Sequence, residues 1–286
     1  MTRTDIIRRL RAAGIDNPEN EALILISEVC SISVEKIIRD RDTDYCHPAL
    51  TQALARREQR EPLQYIIGKW PFCSEIYFVS PDCLIPRADT EMLVYHAAEK
   101  LPPGAYFADL CTGSGCIAIS ILAKRPDCSA IAVDISRGAL NLARKNAILN
   151  DVEDRIQFYE HDLLCDTEYF LPPDRTFDAI ISNPPYVKST DIDKLAPELA
   201  YEPRIALDGG ADGMAFYQLI LLKWGKYLKS DGFFLFETGF DTAAKVKKLA
   251  EALNLDCAIE KDSGGNQRMA VIKDIPGGCH EPKTLF

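Results

Sequence analysis

The chain has 286 residues, 47% of them hydrophobic, and a formal net charge of -10. That length suits about two domains by the usual size prior and is enough to bury a sizeable core. The acidic balance argues against a broad basic footprint for nucleic acid, and no apolar run approaches the roughly 18 residues of a membrane-spanning helix.

Residues 1–67 read as a helical domain. Asn17-Pro18 predicts a cap followed by proline at the first helical position. Ala22, Leu25, Ile26 and Val29 then share one apolar face at i, i+3, i+4, i+7 spacing. Pro48 opens a further helix that closes in "ARREQRE". No catalytic constellation appears here, so the expected role is structure or docking of a partner.

From Leu63 to Ile85 the composition turns aromatic and β-branched, broken by Gly68, Pro71 and Pro81. The pattern predicts a β-hairpin linker, with 68–85 as its span. Beyond it, 86–276 alternates between strands and helices. Strands are expected over 105–110, 129–134, 155–160, 177–182, 231–237, 256–261 and 268–273. Helices are expected over 89–100, 114–124, 136–149, 212–228 and 241–253. Such alternation predicts an α/β, doubly wound, mainly parallel sheet of seven strands. The segment 277–286, "GGCHEPKTLF", reads as a frayed tail. Ten scattered cysteines make no CxxC pair and the four histidines no ligand spacing. The expectation is therefore reduced thiols, no metal and a cytoplasmic setting.

Ligands of doubly wound sheets bind beyond the carboxyl ends of strands, so the strand tips carry the functional argument. "DLCTGSGCIAI" is a strand, a glycine turn and a helix. Gly113 and Gly115 allow a tight turn and close approach of a ligand, and the helix start offers unpaired N–H groups. Asp134 closes the next strand, where a carboxylate can accept both hydroxyls of a ribose. Gly113-x-Gly115-x-x-Ala118 with an acid about 20 residues on also fits a dinucleotide fingerprint, so a nicotinamide dehydrogenase stays open at this point. Asp109, just before the glycines, caps the turn or sits near the cofactor.

The tip "AIISNPPYVKS" weighs against a dehydrogenase, which would want an acid–base His or Lys-Tyr pair. Two prolines end ladder pairing and stiffen the loop. Asn183 Oδ1 and the Pro184 carbonyl can each accept one N–H of an –NH2 group, Pro185 keeps them preorganised, and Tyr186 offers a flat face. This suits methyl transfer to an amide or exocyclic nitrogen, whose delocalised lone pair needs positioning more than deprotonation.

Several separate segments then resemble one family. "RREQREPLQYIIG" (56–68), "IPRADTE" (85–91), "DLCTGSGCIAI", "NPPY", "EPRIALDGGADGMAFY" (202–217) and "DSGGNQRM" (262–269) together resemble the HemK-type peptide-chain release factor glutamine methyltransferases. The resemblance spans residues from about 1 to 273. It implies a class I, Rossmann-like methyltransferase domain that uses S-adenosylmethionine. By the same resemblance the cofactor loop falls on Cys111, Thr112, Gly113, Ser114 and Gly115, with Cys111 where the family often has glycine. Asp134 matches the ribose-binding acid, Asp162 and Leu163 the adenine-contacting position, and Asn183 the residue shared by cofactor and substrate. The implied catalytic set is Asn183, Pro184, Pro185 and Tyr186. The implied partner is a peptide chain release factor, methylated on the glutamine of its Gly-Gly-Gln motif. Glutamine methylation of a ribosomal protein, adenine-N6 methylation of nucleic acid, and a non-catalytic cofactor-binding adaptor remain alternatives. A membrane partner is not expected.

Overall fold

The computed structural model describes residues 1–40, 43–165, 171 and 175–274. The tail expected at 277–286 lies outside them. The N-terminal part is helical: α1 (Arg3–Ala12), α2 (Pro18–Cys30), α3 (Val34–Arg39), α4 (Pro48–Glu58) and α5 (Leu63–Ile67). Its core gathers Ile6, Leu10, Leu25, Ile26, Ile37 and Leu54. Pro18 opens α2 as expected, but the Asn17 side chain makes no capping hydrogen bond. Glu19 and Glu21 sit in that first turn and complement the positive end of the helix instead.

The hairpin strands occupy less than the expected span 68–85. Residues 63–67 still turn as a helix, which Gly68 stops at φ +78. β1 (Lys69–Phe72) then pairs antiparallel with β2 (Glu75–Phe78). Trp70 packs on the N-terminal core, while Phe72 and Tyr77 enter the core of the sheet. The hairpin thus plugs into both parts of the chain.

The sheet contains β3 (Tyr106–Leu110), β4 (Ser129–Asp134), β5 (Ile156–Glu160), β6 (Phe177–Ser182), β7 (Leu228–Glu237), β8 (Leu255–Lys261) and β9 (Gln267–Asp274). Their order is β5-β4-β3-β6-β7-β9-β8. β9 pairs antiparallel with both β7 and β8, and the remaining pairings are parallel. Both faces are buried. Phe107, Ala130, Ala132 and Ile181 join one core cluster, and Ala108, Ile131, Val133 and Ile180 the other. This is the period-2 alternation of a strand sandwiched between helices. Those helices are α6 (Glu91–Lys100), α7 (Cys116–Lys124), α8 (Arg137–Leu149), α9 (Ala215–Trp224) and α10 (Ala243–Ala252).

Several element ends differ from the pattern for local reasons. α7 begins at Cys116 rather than 114 because Gly113 and Gly115 hold φ of +55 and +81. α6 is preceded by a 3-10 turn at Ala88–Thr90. The helix expected over 212–228 is confined to Ala215–Trp224, with a 3-10 turn at Gly225–Tyr227, and β7 starts at Leu228 rather than 231. The chain runs from β3 outward to β4 and β5, then returns to lay β6 on the other side of β3. The carboxyl ends of β3 and β6 therefore flank the switch point, where a crevice must open.

Candidate active site

A cavity opens at that crevice. Its wall takes Cys111 to Ser114 from the loop after β3, Asp134 from the end of β4, Asp162 and Leu163 from beyond β5, and Asn183 and Pro185 from beyond β6. A fifth contribution, Asp82 to Arg87 with Thr90, comes from the segment leaving the hairpin. Gly115, Pro184 and Tyr186 are not part of the wall.

The β3 loop is held from below and from the side. Thr112 Oγ1 donates to Asp109 Oδ2 at 2.6 Å, and the Ala118 N–H, from the first turn of α7, donates to the same oxygen at 3.2 Å. Asp109 is fully buried, its Oδ1 has no hydrogen-bond partner among the described residues, and burial pushes its carboxyl up to about 7. Asp134 ties the loop to the next strand: Oδ2 accepts from the Gly113 N–H at 2.8 Å and Oδ1 from the Ser136 N–H at 2.9 Å. Burial raises its carboxyl, against the pull of these backbone donors. Gly115 faces away from the cavity. A Cβ there would lie 2.8 Å from the Ile119 side chain and 3.1 Å from Ala143, so this glycine lets α7 pack on α8. Cys111 sits at φ +58, a left-handed conformation in which glycine carries no steric penalty.

At the β6 tip a hydrogen-bonded chain runs inward. The Asn183 Nδ2 group donates to Thr90 Oγ1 at 3.1 Å, and the Thr90 hydroxyl donates to Glu237 Oε2. Tyr186 donates its hydroxyl to Glu237 Oε1 at 3.1 Å. Glu237 ends β7 and is buried, which raises its carboxyl; the two hydroxyl donors oppose that shift. The Tyr186 ring packs against Gly239, where a Cβ would come within 3.0 Å of Cδ2. The sequence reading used only the ring face of Tyr186 and missed the partner of its hydroxyl.

The surrounding motifs are braces for this tip. Within "IPRADTE", Arg87 pairs with Glu202, Asp89 with Arg268 at 3.2 Å, Thr90 with Asn183 and Glu237, and Glu91 accepts from the Cys73 N–H at 2.8 Å. Four neighbouring side chains thus staple five different parts of the fold, Thr90 holding two of them. "DGGADG" lies against the backbone of the proline loop. A Cβ on Gly209 would sit 2.6 Å from Tyr186 Cα and 2.7 Å from the Pro185 oxygen, and one on Gly213, at φ +78, 2.4 Å from the Tyr186 oxygen. Val187 and Asp208 form an isolated parallel bridge there, the Val187 N–H donating to the Leu207 carbonyl at 2.9 Å and the Gly209 N–H to the Val187 carbonyl at 2.8 Å.

The residues that sequence reasoning left without a role are Thr90 and Glu237. A signal for Glu237 existed: "FFLFE" ends an apolar strand in an acid, as "FADL" and "AIAVD" nearly do. Its link to Thr90 spans 147 positions, and no local pattern encodes it. Cys83, Cys111 and Cys116 also line the cavity, and burial pushes all three thiols up, Cys83 to about 12. They are neutral at physiological pH. No group of three or more metal-ligating side chains occurs among the described residues, and none of the helices there is long and apolar enough to cross a membrane.

The Methyltransferase small domain family matches residues 88–210, and the PrmC N-terminal domain family matches residues 2–68. The chain is similar to the release factor glutamine methyltransferase of Geobacter sulfurreducens, 40% identical over 91% of each chain. It is similar to the protein of the same name from Fusobacterium nucleatum, 34% identical over 93% of this chain and 76% of that one. Among solved structures, a methyltransferase from Pyrococcus furiosus aligns with a TM-score of 0.52 at 18% identity, over 70% of this chain and 89% of that one, which is a likeness of fold.

Proposed function

The chain belongs to the release factor glutamine methyltransferase family, and from that premise we propose that it moves a methyl group from S-adenosylmethionine to the side-chain amide nitrogen, N5, of the glutamine in a release factor's Gly-Gly-Gln motif. The observation that carries the reading is the orientation of Asn183. Its –NH2 is engaged by Thr90, 3.1 Å away, which leaves Oδ1 to act as the acceptor of a side chain that lines the cavity.

The cavity residues fit the cofactor. Each Asp134 oxygen takes one backbone N–H, and a carboxylate has about four acceptor sites, so capacity remains for the two hydroxyls of a ribose. Cys111, Thr112, Gly113 and Ser114 would surround the amino-acid end, with Gly115 shaping the turn behind them. Asp162 and Leu163 would meet the adenine. When bound, the sulfonium supplies an electrophilic methyl group. The neutral thiols of Cys83, Cys111 and Cys116 do not compete for it, since the thiolate is the nucleophilic form.

The task left to the protein is to aim a poor nucleophile. Asn183 Oδ1 accepts one N–H of the substrate amide, and the Pro184 carbonyl accepts the other. Held by two fixed acceptors, the –NH2 group turns its lone pair toward the methyl, and preorganisation replaces the ordering that solvent would otherwise require. In the transfer the nitrogen would gain the methyl as the methyl–sulfur bond of the sulfonium breaks to leave a neutral thioether, and it would shed one proton to water, so no general base is needed. Pro185 and the glycines packed on Tyr186 keep the acceptors in place.

Residues 1–67 are proposed to dock the substrate. Their link to the cavity supports this. Glu198 pairs with buried Arg57 at 3.1 Å and with Arg60 at 2.8 Å, and Tyr201 donates to the Gln59 carbonyl at 2.7 Å. The same strap continues through Glu202, which accepts from the Ile85 N–H at 3.1 Å, to Pro203 and Ile205 in the cavity wall. A translation-factor substrate makes the cytoplasm the working compartment. The test is incubation with labelled S-adenosylmethionine and, separately, release factor, ribosomal protein and DNA. Label on the release factor glutamine supports the proposal, and label on either of the other two refutes the substrate assigned here.

A further inference from the structure

A side-chain amide can present either its oxygen or its nitrogen to a substrate. An –NH2 facing the cavity would meet the substrate's own –NH2 donor to donor, so the reaction proposed above needs the other orientation. The direction of the hydrogen-bonded chain decides which one is held. A threonine hydroxyl has one hydrogen to give. In this protein that hydrogen goes to Glu237 Oε2, and the second oxygen of Glu237 already accepts from Tyr186. Thr90 Oγ1 is left with lone pairs only, and it can receive Asn183 solely through Nδ2, the contact observed at 3.1 Å. Thr90 and Glu237 are both buried, at 2% exposure each, so water does not offer a cheap substitute partner.

We infer that Thr90 is a positioning residue for methyl transfer: with its hydroxyl committed to Glu237, it locks the Asn183 amide with the carbonyl turned to the cavity. Thr90 acts through Asn183 and touches no reacting atom. Glu237 sets the polarity of the chain, and Tyr186 holds the far side of Glu237. The inference rests on the proposed amide substrate for its meaning, yet the orientation of Asn183 can be read without any substrate.

Three variants test it. Thr90→Ser keeps the hydroxyl, Thr90→Val keeps the shape without it, and Asn183→Asp keeps the size of Asn183 but offers Thr90 an acceptor where a donor is required. Expected are a near wild-type kcat for Thr90→Ser and a fall of about 10²-fold for Thr90→Val and Asn183→Asp, the scale of a misaligned reactive group. The dissociation constant for S-adenosylmethionine stays within about twofold in the two Thr90 variants, and Asn183→Asp, at a residue that also lines the cofactor cavity, is judged by kcat at saturating cofactor. In protein labelled with 15N-asparagine, the Asn183 side-chain amide signal should keep its position in Thr90→Ser and move in Thr90→Val. Wild-type kcat in Thr90→Val or Asn183→Asp, a Thr90→Ser rate as low as that of Thr90→Val, or an unmoved amide signal in Thr90→Val would overturn the inference. Failure of the wild-type protein to label a release factor strikes the proposed substrate instead, and leaves the amide signal to judge Thr90.

Discussion

Replacing Asp109 by Asn removes a buried ionisable group beneath the cofactor loop. Asp109 is fully buried, Thr112 and Ala118 donate to one of its oxygens, and the other has no partner among the described residues. Burial lifts its carboxyl from 3.8 to about 7, with the charge of Asp134 adding to the lift. The folded protein therefore binds this proton more tightly than the unfolded chain does. The stability so contributed is complete below about pH 4 and is lost as pH rises through 7. Each pH unit in that window is about 1.4 kcal/mol, and the whole shift is on the order of 4 kcal/mol. Asn carries no such term. Its –NH2, at the position of the unpartnered oxygen, adds a penalty of about 1–3 kcal/mol that does not change with pH. The assay is urea unfolding of both proteins at pH 5, 6 and 7, each carrying Trp70→Phe so that the fluorescence reports Trp224, which is buried in the sheet core. Asp134 and Glu237 titrate in both proteins, so the difference between the two curves isolates Asp109. Stability should fall with pH more steeply in the wild type than in Asp109→Asn. Parallel curves across this window would refute the reasoning and mean that the site is wetter than the burial of Asp109 implies.

Asp134→Ala should weaken S-adenosylmethionine binding by about 10- to 150-fold, the loss of a charge-assisted hydrogen bond of about 1.5–3 kcal/mol; calorimetry showing unchanged affinity, or binding of a nicotinamide dinucleotide, contradicts the assigned role. The same variant should melt earlier even without cofactor, because the Gly113 and Ser136 N–H groups lose their acceptor. Gly209→Ala should cost about 1–3 kcal/mol in stability and abolish most transfer while sparing cofactor affinity, because the added methyl meets the Tyr186 backbone at 2.6 Å; stopped-turnover rates and calorimetry on one preparation separate the two effects. Glu198→Ala should raise KM for intact release factor about tenfold, roughly 1.4 kcal/mol, with kcat unchanged, and an unaltered KM would remove the strap from substrate docking.

What the sequence determines here is what short range can encode. The near-continuous apolar runs of "FADL" and "AIAVD" specify strands buried on both faces. The two glycines of "GSG" specify a turn that only positive φ can make, and the prolines of "NPPY" specify where β6 must stop pairing. Those signals suffice for the doubly wound class, for the strand tips as the place to look, and for the part of the cavity wall that those tips supply. Element ends were less legible, because they depend on partners: Asn17 looks like a cap, yet its helix start is served by Glu19 and Glu21. The tertiary structure alone decides the electrostatics. That Asp109 lacks a partner for one oxygen among the described residues is a matter of burial, and that Glu237 accepts from both Thr90 and Tyr186 and that Gly209 lies against the Tyr186 backbone are facts about residues that meet only after β6 crosses to the far side of β3. Hydrogen-bond direction and desolvation arise from such meetings, and a linear pattern of residue types carries neither.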